Sequence, residues 1–551
     1  MEDAVELTRN DRWKRAIIFF LPFFILLLSH SSVYAEWTMV TPPTGNQYWE
    51  VVRVHFTSTN EGWAVGYNYG ADIGTLLHYQ NGTWSMITPP SVSWNWGLYG
   101  AHFTSANEGW AVGWSRFNDD SHAGVLLHYQ NGIWSMITPP SVSWNWGLYG
   151  IHFTSADEGW AVGRNSDNLI YTGALLYYLN GTWASVTPPA LSGSWYLSTV
   201  HFTSADEGWA VGYGATEGVI LHYSNGIWTP VTPPTVSGTW GLDAIHFTSA
   251  DEGWAVGRDD SNARGVLLRY QNGVWITVTP PTVSGSWSLN EVHFTSATEG
   301  WAVGRLGTDY SNYEGLLLHY QNGTWAPVTP PTMGGAWAIG GVHFTSADEG
   351  WAVGGDYANI RGALLHYVRA LSPPEGTIGT EVTIRGSSFG FKKGKVLISG
   401  VATKVAKDSW GNDRIESLIT KVPPSGGPYT VTVVPYQSPA PLIVSSSFYV
   451  KIPELDPLSP DHGKPDTLIT ITGRFFSTKK GKVYIEDSVS GKKKTCKVTN
   501  WFMNPTNGES TLTFVVPKLP KGFNTGAAYP LKVANKVGTA QTTFTVDPTP
   551  P

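Results

Sequence analysis

The sequence predicts an all-β protein: a seven-bladed β-propeller closed by an N-terminal strand, followed by two β-sandwich modules. Two observations support this fold class. A twelve-residue motif, represented by His152–Gly163, recurs seven times, and a different pair of repeated segments begins after residue 371. Repeats of about 20 to 50 residues are typical of architectures in which each unit buries its apolar faces against its neighbours. The motif copies start at His55, His102, His152, His201, His246, His293 and His343.

Each interval between motifs contains four short apolar runs. Ile151–Ser155 leads into the turn at Ala156–Gly159 and then into Trp160–Gly163, while in the preceding interval Leu126–Tyr129 is joined by an Asn-Gly turn to a run that starts at Trp134. Asn-Gly between two apolar runs is a strong β-hairpin signal, because both central turn positions need a positive φ. Four strands per repeat predict an antiparallel meander, and such sheets bury both faces when they are arranged radially.

The position of the outermost strand predicts how the ring closes. A segment that ends in Thr-Pro-Pro occurs seven times, and its first copy, Glu36–Pro43, stands before the first motif. The last interval stops at Leu364–Tyr367 without such a segment. The N-terminal strand is therefore expected to complete the seventh blade, which removes an exposed sheet edge. The predicted propeller domain spans residues 36–370.

The repeat resembles those of a known group of propellers. Phe153–Gly163, followed by a Gly-x-Trp hairpin, is similar to the repeats of photosystem II assembly-factor-like and BNR/sortilin-like proteins. The resemblance implies the propeller fold. The family's Asp-Gly-Gly turn is replaced here by sequences such as Gln130–Gly132, and the arginine patch of the photosystem factors is absent. No photosynthetic role is carried over.

The first 35 residues predict an export signal. Basic residues up to Arg15 precede a 13-residue apolar run from Ala16 to Leu28, and Val33–Ala35 offers small residues for cleavage. A membrane-spanning helix needs about 20 residues, so cleavage is favoured, and an uncleaved anchor is the alternative. We expect a secreted, extracellular or cell-surface protein, or a periplasmic one, with no membrane span after cleavage.

Charge and cysteine content exclude several classes of function. Residues 1–370 carry a net charge of −16 and residues 371–551 a net charge of +9, which gives −7 overall. Lys14 is the only lysine before Lys392, so the repeats lack the basic patch that nucleic-acid binding requires. Cys496 is the only cysteine, and it cannot form an intrachain disulfide. We expect a monomer without a cofactor or metal.

The ligand-binding face is predicted from variation in loop length. Successive motif histidines are 45 to 50 residues apart, and the whole difference lies in the loop between the second and third strands of each blade. That loop shares a face with the connections between blades, and loops that vary on a constant scaffold commonly carry binding residues. Drift in an unused loop is the alternative. The predicted ligand-binding residues are Trp94, Trp114, Arg116, Trp144, Arg164, Tyr171, Arg258, Asp259, Arg305, Tyr310, Tyr313, Tyr357 and Arg361.

These residue types favour a non-catalytic binding protein for a glycan or a protein ligand. Exposed aromatic rings beside polar groups suit sugar rings or a peptide. A sialidase-like hydrolase is the first alternative, and it requires arginines to converge with a Tyr/Glu pair over the central channel. A structural or adhesive surface protein is the second, and a flat variable face would favour it.

Three other repeated features are interpreted as structural. The motif histidines are expected to be packed and separated from one another, because the two faces of their strand should meet neighbouring blades. The turn glutamates, from Glu61 to Glu349, are explained by turn chemistry. Three tryptophans per blade recur without exception and are interpreted mainly as packing residues. Trp94, Trp114 and Trp144 fall outside that pattern.

The C-terminal third contains one opening sequence twice. Ser372–Phe389 and Ser459–Phe475 share Pro and Gly positions, and alternating strands follow each. Both resemble IPT/TIG immunoglobulin-like domains, which implies two Ig-like β-sandwich modules at residues 371–450 and 451–551. The resemblance implies that they act as spacer or interaction modules.

Overall fold

A computed structural model describes residues 32–33, 37–43, 48–92, 95–116, 121–167, 170–321, 323–438 and 440–548. Every regular element in these ranges is a β-strand, so the all-β prediction is confirmed. Within the same ranges, no helix has the length and apolar character needed to cross a membrane. The predicted signal sequence lies outside the described residues, apart from Ser32 and Val33.

Seven four-stranded antiparallel sheets follow one another along the chain, and each runs from an inner to an outer strand. Blades 1 and 2 comprise Trp49–Ser58, Glu61–Asn68, Ile73–Gln80 and Thr83–Ile87, then Trp96–Ser105, Glu108–Arg116, His122–Gln130 and Ile133–Ile137. Blades 3 and 4 comprise Trp146–Ser155, Glu158–Asp167, Ile170–Leu179 and Thr182–Val186, then Tyr196–Ser204, Glu207–Tyr213, Gly218–Ser224 and Ile227–Val231. Blades 5 and 6 comprise Trp240–Ser249, Glu252–Asp259, Arg264–Gln271 and Val274–Thr277, then Trp287–Ser296, Glu299–Leu306, Glu314–Gln321 and Thr324–Val328.

Blade 7 is built from both ends of the propeller. Its first three strands are Trp337–Ser346, Glu349–Asp356 and Arg361–Val368, and Trp37–Val40 is its outer strand. Trp37 pairs with Tyr367, and Val40 pairs with Leu364. Inner strands of successive blades are in contact, including those of blades 7 and 1. The predicted closure by the N-terminal strand is confirmed.

The repeated tryptophans form the packing between blades. Between blades 3 and 4, Trp160 stacks on Phe202 at a centroid distance of 5.9 Å, and it meets Trp228 edge-on at 5.4 Å. The tryptophan six positions before each motif histidine is also buried. In blade 2, the ring of Trp96 covers Gly74 so closely that a Cβ on that glycine would lie 2.3 Å from it. All three sets therefore pack the ring of blades.

The prediction that the seven motif histidines are separated is wrong. Their imidazoles form a closed ring around the central channel, and every pair of neighbours has a centroid distance of 4.5 to 4.8 Å. The reason is that these side chains point to the propeller axis, where all seven inner strands meet. Burial lowers the pKa of every one of them. Among the described residues, no cluster of His, Cys, Asp or Glu could hold a metal ion.

The turn glutamates do more than form turns. Glu61 lies 2.5 Å from His78 of the third strand, and His78 stacks on Trp63 at 4.0 Å. Tyr177 and Arg269 replace the histidine in blades 3 and 5, where they bind the equivalent glutamates. Each glutamate therefore links the first turn of its blade to the third strand.

The two C-terminal modules share one topology. The first has a sheet of Leu371–Ser372, Glu381–Arg385, Arg414–Leu418 and Lys404–Trp410, packed on a sheet of Glu375–Gly376, Leu442–Val450, Gly426–Val434, Lys395–Ile398 and Val401–Ala402. Ser32–Val33 pairs with the edge of the second sheet. The second module repeats this order with Glu454–Leu455, Leu468–Arg474, Glu509–Val515 and Lys497–Met503, then His462–Gly463, Thr539–Val546, Ala528–Ala534, Lys482–Glu486 and Lys493–Thr495.

The first sandwich module attaches to the turn face of the propeller, on which the motif turns lie. Arg369 is buried, binds the carboxylates of Glu299 and Asp348, and donates to the carbonyl of Ala347. Ser372 donates to Asp348 as well. These contacts between described residues lie on the turn face.

Candidate functional site

The loops of variable length lie beside the connections between blades, as predicted. The backbone amide of Trp96 donates to the Asp72 carbonyl at 3.0 Å, and equivalent bonds join loop and connection in other blades. On the turn face, the amide of Asn131 donates to the carbonyl of Asn107 at 2.9 Å. We call the first surface the variable face.

A cavity of about 450 Å³, called the funnel, opens at the centre of the variable face. Its walls include the residue three positions before the motif histidine in several blades. That residue occupies a β-bulge in every inner strand, where the pairing register shifts by one residue. Bulges re-aim a side chain, and here they turn Tyr99, Tyr149, Ser198, Asp243 and Asn290 into the funnel.

Sequence reasoning missed these funnel residues. The available signal was variation inside an otherwise constant segment, because the bulge position holds Val52, Tyr99, Tyr149, Ser198, Asp243, Asn290 and Gly340. Glu50 and Tyr196, five positions before their histidines, also line the funnel and were missed. The prediction of binding residues rests on loops and blade connections, whereas inner strands supply 12 of the 18 residues that line the funnel.

Arg53 lines the funnel and is paired with Glu291, which is largely buried. Arg53 Nε is 2.9 Å from the Glu291 carboxylate, and its Nη1 donates to the carbonyls of Val52 and Gly340. Burial raises the pKa of Glu291, and the positive charge of Arg53 acts in the opposite direction. Burial likewise raises the pKa of Asp243, which accepts a 2.5 Å hydrogen bond from Tyr213.

Arginines stack on tyrosines around the rim. Arg164 lies over Tyr171 at 5.4 Å, and Arg305 lies over Tyr313 at 4.9 Å. Both arginines line the funnel. Neither forms an ion pair with a carboxylate among the described residues. Arg258 lies over Tyr213 at 4.8 Å, but it also binds Asp260 at 3.1 Å.

A second cavity of about 590 Å³, called the seam pocket, lies between blades 7 and 1. Four residues line both this pocket and the funnel, so the two cavities adjoin: Glu50, Tyr310, Gly355 and Tyr357. Tyr69 Oη donates to Glu50 Oε1 at 2.6 Å. Burial raises the pKa of Glu50, although its hydrogen bonds act in the opposite direction.

The structure brings some of the loop residues predicted from sequence to the funnel. Arg164, Arg305, Tyr310 and Tyr357 line it. Three further residues support its walls, since Tyr171 and Tyr313 lie under arginines and Trp114 stacks on Tyr99 at 5.8 Å. Arg258 lies outside the funnel, over Tyr213, which donates a hydrogen bond to the funnel residue Asp243.

The remaining predicted residues are not part of the funnel. Asp259 lies outside the funnel, and its buried carboxylate holds its own loop through Asn262 and Arg264. Arg361 binds Asp356 at 3.3 Å and lines the seam pocket instead. Arg116 is exposed at the end of its strand, and Trp144 is 62% exposed on a blade connection. Trp94 lies outside the described residues.

Comparisons with known proteins identify one of the modules. Residues 367–445 match the IPT/TIG domain model. The match agrees with the resemblance noted for the first module and covers the two-sheet sandwich that follows the propeller. No curated protein matches the chain. The specific repeat family of the propeller stays a prediction.

Solved structures that match this chain are distant from it in sequence. One is a protein of unknown function from Bacteroides thetaiotaomicron, at 9% identity and a TM-score of 0.32, covering 60% of this chain and 100% of that one. Another is the subtype N11 neuraminidase-like protein of a flat-faced bat H18N11 strain, at 9% identity and a TM-score of 0.31, covering 62% and 95%. A third is the extracellular region of plexin A4, at 9% identity and a TM-score of 0.22, covering 89% and 91%. At these TM-scores, none of them bears on function.

Proposed function

We propose that the protein is an exported, non-catalytic binding protein whose funnel takes an acidic carbohydrate. The observation that carries the proposal is a tyrosine-lined funnel bordered by Arg164 and Arg305, which have no carboxylate partner among the described residues. The apolar faces of sugar rings stack on aromatic side chains. A guanidinium group binds a carboxylate through two parallel hydrogen bonds. Both features are present in one cavity.

The shape of the variable face supports a glycan better than a flat protein surface. A volume of about 450 Å³ lies within the range of about 300 to 1,000 Å³ that is usual for small-ligand sites. The sandwich modules follow on the turn face through Arg369. They therefore act as spacers that leave the funnel accessible, which fits an extracellular or cell-surface protein.

A glycan array probed with the full chain tests this proposal. We expect selective binding to carboxylated glycans, and we expect the double substitution Arg164→Ala/Arg305→Ala to weaken it at least about tenfold. Trp144→Ala is the matched control, because this exposed aromatic residue shares the face but not the funnel. Binding to no glycan, or binding that the double variant retains, would overturn the proposal.

A hydrolase is the second candidate, favoured by the bond from Tyr69 to Glu50. Sialidases use a tyrosine nucleophile, and a neighbouring carboxylate can act as its base. Glu50 and Arg305 both line the funnel, and Tyr69 lines the adjoining seam pocket. Fluorogenic sialosides incubated with the full chain and with Tyr69→Phe test it. Turnover by the unsubstituted chain that Tyr69→Phe abolishes would favour the hydrolase. An absence of turnover by the unsubstituted chain would exclude the hydrolase.

A further inference from the structure

One position of the repeat holds an arginine in three blades. The residue twelve positions after the motif histidine is Arg164, Arg258 or Arg305 in blades 3, 5 and 6, and each lies 4.8 to 5.4 Å above a tyrosine ring. Such cation–π contacts are favourable because the face of an aromatic ring is electron-rich. In blade 7 the equivalent residue is Gly355.

The absence of a side chain at Gly355 leaves room for Glu50 and Tyr357. A Cβ on this glycine would lie 2.9 Å from the ring of Tyr357 and 3.1 Å from Glu50 Oε2. Glu50 is itself unusual, because the equivalent inner-strand position is glycine in blades 2, 3 and 5. The seam between blades 7 and 1 therefore has a carboxylate where another blade has a guanidinium.

Four of the ten residues that line the seam pocket beside Glu50 are tyrosines. Tyr310 and Tyr357 meet at 5.6 Å and 85°, so two rings present perpendicular surfaces to the pocket. Tyr48 and Tyr69 complete the wall, and both are about half exposed. Perpendicular aromatic rings around a small space are the arrangement of cages that bind substituted ammonium groups.

The seam pocket has two acidic side chains, Glu50 and Asp356, and one basic side chain, Arg361. Glu50 forms no ion pair with a Lys, Arg or His among the described residues, and its hydrogen-bond partners are tyrosine hydroxyls. Arg361 also lines the pocket, but it is bound to Asp356. A half-buried carboxylate without a cationic partner is costly, and an external cation would offset that cost.

We propose that the seam pocket binds an organic cation with an alkylated ammonium head group. The head group lies against Tyr310 and Tyr357, with its charge directed to Glu50. The cavity of about 590 Å³ is larger than such a head group, so the remainder of the ligand extends into solvent or into the adjoining funnel. The site shares Glu50, Tyr310 and Tyr357 with the funnel wall, but its ligand is a cation, whereas the ligand proposed for the funnel is an acidic glycan.

Isothermal titration of the full chain with choline tests the proposal. The comparison ligand is 3,3-dimethylbutan-1-ol, which has the shape of choline without its charge. We expect choline to bind at least about tenfold more tightly than the alcohol, because only choline gains the cation–π and carboxylate interactions. Equal binding of the two ligands, or no choline binding, would overturn the proposal.

Substitutions locate the site. Glu50→Gln and Tyr310→Ala should each weaken choline binding about tenfold. Tyr436→Ala removes a half-exposed tyrosine of the first sandwich module and should leave choline binding unchanged. Gly355→Arg supplies the internal cation of blades 3, 5 and 6 and should abolish choline binding, with thermal unfolding as the check on folding. Choline affinity retained in both Glu50→Gln and Gly355→Arg would contradict the assigned site. Glycan binding is scored separately, so the two proposals fail independently.

Discussion

The guanidinium group of Arg53 in blade 1 lies 2.9 Å from the carboxylate of Glu291, which belongs to blade 6. It reaches that far because blade 7, which stands between them, has Gly340 and Gly341 at the facing positions. A Cβ on Gly341 would lie 2.9 Å from the carbonyl oxygen of Val52. One ion pair therefore ties together blades that are not neighbours, close to the seam where the ring closes.

We expect Arg53→Met to lower the free energy of unfolding by about 2 to 4 kcal/mol, because Glu291 is left largely buried without its partner. The double variant Arg53→Met/Glu291→Gln should regain at least half of that loss. Urea unfolding followed by tryptophan fluorescence measures both changes. Losses that simply add in the double variant would show that the pair does not stabilise the ring.

The histidine ring should make the propeller sensitive to acid. Burial lowers the pKa of His55 and His246 from 6.5 to about 4, and it lowers that of the other five as well. In the unfolded chain each histidine binds a proton near pH 6.5, whereas in the folded chain it stays neutral to a lower pH. The stability contributed is therefore complete above pH 6.5 and is lost as the pH falls towards 4.

The free energy of unfolding should fall by at most about 1.4 kcal/mol per pH unit for each histidine that titrates. This slope should be smaller in practice, because the imidazoles keep some exposure to the channel. Urea unfolding at pH 8.0, 6.5 and 5.0 measures this slope. His55→Gln should reduce it by the contribution of one histidine, which is at most about 1.4 kcal/mol per pH unit. Buried acids such as Asp243 have raised pKa values and act in the opposite direction, but they are common to both proteins. An identical slope in the variant would contradict the role of the ring.

Arg369 should fix the first sandwich module to the propeller. Arg369→Met leaves Glu299 and Asp348 without their shared partner, and we expect the junction near residue 370 to become cleavable in limited proteolysis. Small-angle scattering should show a larger radius of gyration. Arg414→Met is the matched control, because its pair with Glu416 is exposed and exposed pairs contribute about 0 to 1 kcal/mol. Equal proteolysis of the two variants would contradict this role.

The glycines under the buried tryptophans should be intolerant of a methyl group. Gly74→Ala would place its Cβ 2.3 Å from the ring of Trp96, so we expect a loss of about 1 to 3 kcal/mol from overpacking. Gly334→Ala is the control, because a Cβ there meets nothing within 4 Å. Thermal unfolding of both variants measures the difference. A stability loss in the control as large as that of Gly74→Ala would indicate a backbone effect instead.

Periodicity alone predicted the architecture. The spacing of the motif copies, the Asn-Gly turns and the displaced segment Glu36–Pro43 fixed the strand order and the closure of the ring, because each is a local property repeated seven times. The paired openings near Ser372 and Ser459 likewise predicted the two sandwiches. The faces were also predictable, since alternating turns of a meander lie on opposite sides.

Only the tertiary structure decided what meets at the axis. The bulge that turns Tyr99 or Asp243 into the funnel is a shift of pairing register between two strands, and single residues of the repeat do not reveal it. The seven histidines were expected to be apart, yet they form one ring, because side-chain direction on an inner strand depends on the curvature of the whole assembly. The tertiary structure also decides that Glu50 lies beside Gly355, because the first and last blades become neighbours only when the ring closes.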